Sequence, residues 1–252
     1  MARADGRLGH HLLDEDKGPQ DACGVVGIWA PDEDVARLAY FSLYALQHRG
    51  QESAGIAVSN GDRILVVKDM GLVAQVFNEE ALNSLTGSIA VGHTRYSTTG
   101  ASTWHNAQPT FASTSHGHIA LGHNGNLTNT LELAAKLGPT TPTPQNVHRP
   151  RATSDTDVLT GLLAAATTTD LMQAALEILP MAAGAFSLVF CDEQTLYAAR
   201  DPQGVRPLSI GKLPNGWVVA SETAALDIIG AEYVREVEPG EIIAIDADGV
   251  RS

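Results

Sequence analysis

Residues 20–31 read QDACGVVGIWAP. Within them the apolar run CGVVGIWA, 23–30, is short and rich in valine and isoleucine, the composition of a buried strand. It places a thiol, Cys23, at the head of that strand, after 22 residues with no comparable apolar run. Taken alone, a cysteine is more often a small core hydrophobe than a nucleophile. A thiol beside its own free α-amine differs, because such an amine titrates at about 7.7–8.0 and supplies a base that an amide nitrogen cannot. That reading requires cleavage between Ala22 and Cys23, and it makes 1–22 a leader or propeptide.

The leader, MARADGRLGHHLLDEDKGPQDA, lacks the apolar centre of a secretory signal, and its five acidic residues argue against an organellar transit peptide. On composition alone its plainer reading, a disordered terminus, is favoured. No later run approaches the roughly 20 apolar residues that span a bilayer.

Working outward, a helix should follow the strand, capped by Asp32, with Val35, Leu38, Phe41, Ala45 and Leu46 on one face and Gly50 just past its end. Asn60-Gly61, between two β-rich runs, marks a hairpin. SIAVGHTRYSTTG (88–100) and GHIALGHNGNLTN (117–129) each read as a strand running into a polar, glycine-bearing loop beside Cys23. The second enters a helix over 128–137 closed by Gly138, and the proline-rich 139–153 is a long surface loop. Helices are expected over 156–166 and 171–179 and near 223–229. Strands are expected in AFSLVFCDE, TLYAAR, PLSIGKL, GWVVASE and GEIIAID. Pro214-Asn215-Gly216 makes its neighbouring strands antiparallel. Helices clustered between groups of strands predict the α+β class, with two mainly antiparallel sheets and helices outside, a four-layer αββα sandwich. Strict βαβ alternation and phosphate-cradling glycine loops are missing, which excludes the nucleotide-binding folds built on them.

With 252 residues, 44% of them hydrophobic, the chain can bury a sizeable core. Its net charge of −13 opposes nucleic acid or an anionic membrane as the main partner. Two cysteines, Cys23 and Cys191, without a C-x-x-C pair, form neither a disulfide framework nor a zinc or iron–sulfur site, and suit a reducing cytoplasm. Cys191, in FSLVFC, reads as core. The histidines show no metal-ligand spacing: His10 and His11 lie in the leader, and His116 and His118 flank a strand.

CGVVGIWA, LYALQHRGQESAGIAV, VGHTRYSTTG, GHNGNLTN, TSDTDVL and RDPQGVRPL occur in this order. Together they resemble the class II glutamine amidotransferase domain of the amidophosphoribosyltransferase family, over about 23–252. The resemblance implies an N-terminal-nucleophile (Ntn) hydrolase sandwich in which Cys23 attacks the side-chain amide of glutamine. It further implies that Asn124 and Gly125 stabilise the oxyanion, that Arg95 holds the α-carboxylate and that Asp155 receives the α-ammonium. By the same resemblance Arg49 and Gly50 should line the site in a supporting role, and Tyr96 should line or gate the path for ammonia. Each residue also has a plainer reading: Asn124-Gly125 as a hairpin turn, Arg95 as a surface charge, Asp155 as a helix cap, Arg49-Gly50 as a basic helix end with its glycine. Asp157 is the alternative register for Asp155.

In that family ammonia passes to a phosphoribosyltransferase domain, which uses phosphoribosyl pyrophosphate and Mg2+ and in some members accompanies a 4Fe–4S cluster. No such domain is legible before Ser252, and no cofactor is expected in this chain. The implied activity is release of ammonia from glutamine for the first step of purine synthesis, in a protein expected to be a homo-oligomer at full length. Related readings are the amidotransferase domain of glucosamine-6-phosphate synthase or asparagine synthetase. LQHRGQESAGI favours the purine family over the glucosamine enzyme, which usually has tyrosine before the arginine. A non-catalytic glutamine-binding domain is the reading from a different class.

Overall fold

The computed structural model describes residues 23–96, 103–114, 117–137 and 154–252. The leader, the capping Gly138 and the loop 139–153 expected from the sequence lie outside these residues.

The order is β1 (Gly24–Trp29), α1 (Val35–Ala45), β2 (Ser53–Ser59), β3 (Ile64–Met70), α2 (Val73–Val76), α3 (Glu79–Ser84), β4 (Ile89–Arg95), β5 (Thr110–Ser113) and β6 (His118–Leu127). There follow α4 (Thr130–Lys136), α5 (Asp155–Ala165), α6 (Leu171–Ile178), β7 (Gly184–Cys191), β8 (Leu196–Arg200), β9 (Ser209–Leu213) and β10 (Gly216–Ala220). The chain closes with α7 (Ala224–Asp227), β11 (Glu232–Glu236), β12 (Ile242–Asp246) and β13 (Gly249–Arg251). One sheet runs β11-β9-β10-β1-β4-β2-β3 and the other β13-β12-β8-β7-β6-β5. Neighbours pair antiparallel, as in Val25↔His93 between β1 and β4 and Asn124↔Ser187 between β6 and β7.

Side chains alternate across each strand, so each sheet feeds two apolar layers. Val26, Ile28, Ile56 and Val58 face Leu43 of α1 and Leu46 just past its end, whereas Leu121, Phe186, Leu188 and Phe190 face α5 and α6. Between the sheets, Val25, Val91, Ala120, Val189, Cys191, Ala198 and Val219 form the central layer. This is the expected αββα sandwich. The Asn60-Gly61 hairpin is also as expected: Gly61 has φ +94°, and Asn60 Oδ1 accepts from the N–H groups of Asp62 and Arg63, both at 3.1 Å.

Three local expectations change. The cap of α1 is Asp34, whose carboxylate accepts from Arg37 N–H at 3.1 Å, while Asp32 adopts φ +71° in the preceding turn. The buried face of α1 runs through Val35, Ala36, Ala39 and Leu43, leaving Phe41 47% exposed. Small residues win there because the helix sits close on the sheet; a Cβ on Gly92 would come within 3.1 Å of Leu43. Finally, Asn124-Gly125 is not a loop: β6 continues through it to Leu127, paired throughout with β7.

Candidate active site

Cys23 stands at the head of β1, half-buried, at the rim of the space between the sheets. Its sulfur is held by backbone: Tyr96 N–H donates to Sγ at 3.4 Å, and Sγ–H points to Tyr96 O at 3.5 Å. Burial pushes the thiol up, against the opposing pull of the Tyr96 N–H and the positive charges of Arg95 and Arg206. A thiol in that state is protonated near neutrality and needs a nearby base to become a nucleophile.

Arg49 follows α1 in a short 3-10 turn. Its Nε donates to Cys23 O at 3.1 Å, and its Nη1 pairs with Glu222. It therefore anchors the backbone that carries the thiol. Gly50 is extended, with φ −156°, so its role is spatial: a Cβ would lie 2.6–2.7 Å from backbone atoms of Thr94 and Arg95.

Arg95, 5% exposed at the end of β4, pairs with Glu52, whose own N–H donates to Arg95 O at 3.0 Å. On β6, alternation from Ala120 turns Asn124 toward the inter-sheet space. Asn124 is fully buried, and among the described residues neither Oδ1 nor Nδ2 has a hydrogen-bond partner. Gly125 must be small, since a Cβ would meet Ala185 O at 2.0 Å.

Asp155 opens α5, but the cap is Ser154, whose Oγ accepts from Asp157 N–H at 3.2 Å. The Asp155 carboxylate accepts from Leu127 N–H at 3.0 Å and Thr156 N–H at 2.8 Å, with His123 Nδ1 3.7 Å away. Burial alone would raise its pKa; the His123 ring and those two N–H groups outweigh burial and hold it at about 2. It is thus an anion at any ordinary pH.

Cys23, Arg95, Tyr96, Gly125 and Asp155 line one cleft. Arg49 and Gly50 stand behind it, and Asn124 adjoins it through Gly125. Asp157 is not among the lining residues; its charge acts on Lys68 instead. A larger cleft of about 510 Å³ lies at the opposite end of the sandwich, between the Gly61 hairpin, the 192–194 turn and α6. It contains none of the motif residues, so chemistry rather than size selects the Cys23 cleft.

The sequence reading missed Glu52, Glu222, Gln108, His123 and Thr156, which orient the residues it found. Glu52 lies inside the motif LYALQHRGQESAGIAV, but no spacing signals that it pairs with Arg95 across a strand contact. Gln108 Nε2 donates to Thr156 Oγ1 at 3.0 Å, in a segment with no periodicity.

Two antiparallel sheets between helix layers, with a cysteine heading a central strand and buried amide and charged groups beside it, define the fold of the Ntn-hydrolase amidotransferases. The chain belongs to the glutamine amidotransferase domain family, whose model matches residues 93–228. It is 60% identical over 236 residues to the amidophosphoribosyltransferase of Mycobacterium tuberculosis (strain H37Rv), covering 93% of this chain and 45% of that protein. To the Synechococcus elongatus amidophosphoribosyltransferase it is 50% identical, covering 95% and 49%. The solved glutamine phosphoribosylpyrophosphate amidotransferase of B. subtilis, complexed with ADP and GMP, superposes with a TM-score of 0.80 at 39% identity, covering 91% of this chain and 48% of that one. The chain thus spans a little under half the length of these relatives.

Proposed function

We propose that this chain hydrolyses glutamine through Cys23 and delivers the ammonia to phosphoribosyl pyrophosphate in a transferase domain like that of its relatives, giving 5-phosphoribosylamine in the first step of purine synthesis. In this reading cleavage after Ala22 frees the Cys23 α-amine, which takes the thiol proton as sulfur attacks the carboxamide carbon. The proton then goes to the departing nitrogen, ammonia leaves, and a γ-glutamyl thioester remains. Water attacks the thioester, releasing glutamate and restoring the thiol.

The supporting observation is Asn124. Burying an amide without partners costs about 1–3 kcal/mol, and a site for a developing oxyanion explains the cost. Asn124 Nδ2 and Gly125 N–H are the donors. Arg95 takes the α-carboxylate, for which a planar guanidinium is suited, and the permanently ionised Asp155 takes the α-ammonium. Arg49 holds the nucleophile's carbonyl, Gly50 lets strand and turn meet, and Tyr96 lines the ammonia path.

Among the described residues no three His, Cys, Asp or Glu side chains stand together as a metal site. Two cysteines are too few for a 4Fe–4S cluster. Neither Mg2+ nor a cluster enters any step here; both would belong to the transferase part. Two free cysteines suit a reducing, cytoplasmic setting. Among the described residues no helix is long and apolar enough to cross a membrane. Self-association is expected of the full-length protein.

The test is the intact mass of active material, which should correspond to a chain beginning at Cys23, together with Cys23→Ala, which should abolish glutamine hydrolysis in a folded protein. Hydrolysis surviving the substitution refutes the proposal. Acceptor-dependent glutamine consumption by the full-length protein, stimulated by phosphoribosyl pyrophosphate and not by fructose 6-phosphate or aspartate, tests the acceptor.

A further inference from the structure

We infer that His93 is a positioning residue that aligns the oxyanion donor Asn124 with the nucleophile through a hydrogen bond from one sheet to the other; this rests on the assignment of Cys23 and Asn124 above. The two groups sit on different sheets, Cys23 heading β1 and Asn124 on β6. Their separation must hold to a fraction of an ångström for the donor to meet the oxyanion. Apolar contact sets the spacing of sheets but carries no direction. Near the site even that filling is thin, because Gly122 brings no side chain into the inter-sheet space, where a Cβ on it would lie 3.6 Å from Val25 and 3.7 Å from the Gly92 carbonyl oxygen.

His93 lies directly opposite Val25, two residues along β1 from Cys23. It is fully buried, and its Nε2 is 3.0 Å from His123 O, the carbonyl of the peptide that leads into Asn124. A carbonyl only accepts, so Nε2 carries the proton and the ring donates. Burial, the largest influence, drives the His93 pKa down to about 3, keeping the ring neutral. Nδ1, which has no partner among the described residues, fits that tautomer, since a proton there would be a buried donor with no acceptor.

The pairing of β5 with β6 ends at Thr110↔Leu121, so on that side the backbone of His123 has no strand to bond. Side chains replace it: Gln108 Oε1 accepts the His123 N–H at 2.7 Å, and His93 supplies the donor for the carbonyl. The strand is therefore held on both backbone groups one residue before Asn124, and the His93 half of the clamp comes from the sheet that carries the nucleophile.

The experiment compares His93→Leu, His93→Gln and His93→Asn in the full chain, cleaved to Cys23, with Cys23→Ala alongside. Gln places a donor near the Nε2 position, Asn near Nδ1, and Leu has none. For His93→Leu, kcat for glutamine hydrolysis should fall about 100-fold while KM stays within about threefold. Alkylation of Cys23 by iodoacetamide, which needs no oxyanion donor, should be unchanged. His93→Gln should recover kcat to within about tenfold of the native chain, and His93→Asn should not. The inference is overturned if folded His93→Leu keeps kcat within about threefold, if its loss lies in KM, or if alkylation slows in step with kcat. Should His93→Leu fail to fold, His93→Asn performing as well as His93→Gln overturns it. Hydrolysis surviving in Cys23→Ala would instead remove the assignment of the nucleophile.

Discussion

Cys23 and Cys191 are the same side chain in two environments. Cys191 is fully buried in the layer between the sheets, where burial first and the charge of Asp192 second push its thiol far up. Cys23 is also pushed up, but it opens onto the cleft with two arginines near it. In the native protein iodoacetamide should label Cys23 and leave Cys191 unmodified, as peptide mass mapping would show; equal labelling would contradict the burial of Cys191. Gly50 makes a second residue-scale prediction. A methyl there collides with the backbone of β4, which cannot move without shifting Arg95, so Gly50→Ala should lose about 1–3 kcal/mol in urea unfolding and weaken glutamine binding as well. The motif made both positions legible from the sequence. The reason for Gly50 was not legible: a glycine after a basic turn reads as a left-handed cap, whereas its φ is extended and its neighbour is a strand 44 residues later, from 50 to 94.

Among the elements, α5 couples stability to the site. Ser154 caps it, and the next residue is Asp155, held by Leu127 N–H at the end of β6. Ser154→Ala should cost about 1 kcal/mol of stability by removing the cap. Because the first turn then frays, KM for glutamine should rise more than kcat falls; an unchanged KM would separate the cap from the site. Strong periodic segments were legible: β1, β4, β6, β7 and both long helices after residue 153 lie where the apolar pattern put them. Elements without a pattern were not. β11, with the sequence EYVRE, is a charged, exposed edge strand, β13 has three residues, and α2 and α3 have only four and six. Their conformations come from what they pair with or pack on, and α1 shows the same limit at its start, where two acidic residues compete for the cap and backbone geometry chooses Asp34.

Across the whole molecule, the stability of the sandwich should report on the buried His93. His93 has a folded pKa of about 3 against an ordinary 6.5. Between those values the unfolded chain binds a proton that the folded one refuses. Its contribution is therefore fully present above about pH 6.5 and is lost as pH falls toward 3, at a limiting slope of about 1.4 kcal/mol per pH unit. Asp155 acts in a lower window, with stability present above its ordinary 3.8 and lost as pH falls through about 2. Urea midpoints measured from pH 7 to 4 should drop steadily in the native chain and less in His93→Gln, which has no group to protonate. Parallel slopes in the two would place the acid sensitivity elsewhere.

From the sequence alone came most of the strands, the longer helices, the layered class, and the residues proposed to open a carboxamide, because period, composition and short motifs are local properties of a chain. Tertiary structure alone decided which groups meet: Glu52 with Arg95, Gln108 and His93 on the backbone of His123, and at Asn124 an amide without a partner among the described residues. These contacts depend on strand register and on the stacking of two sheets, which are set by the packing of the entire core, and no window along the sequence contains them.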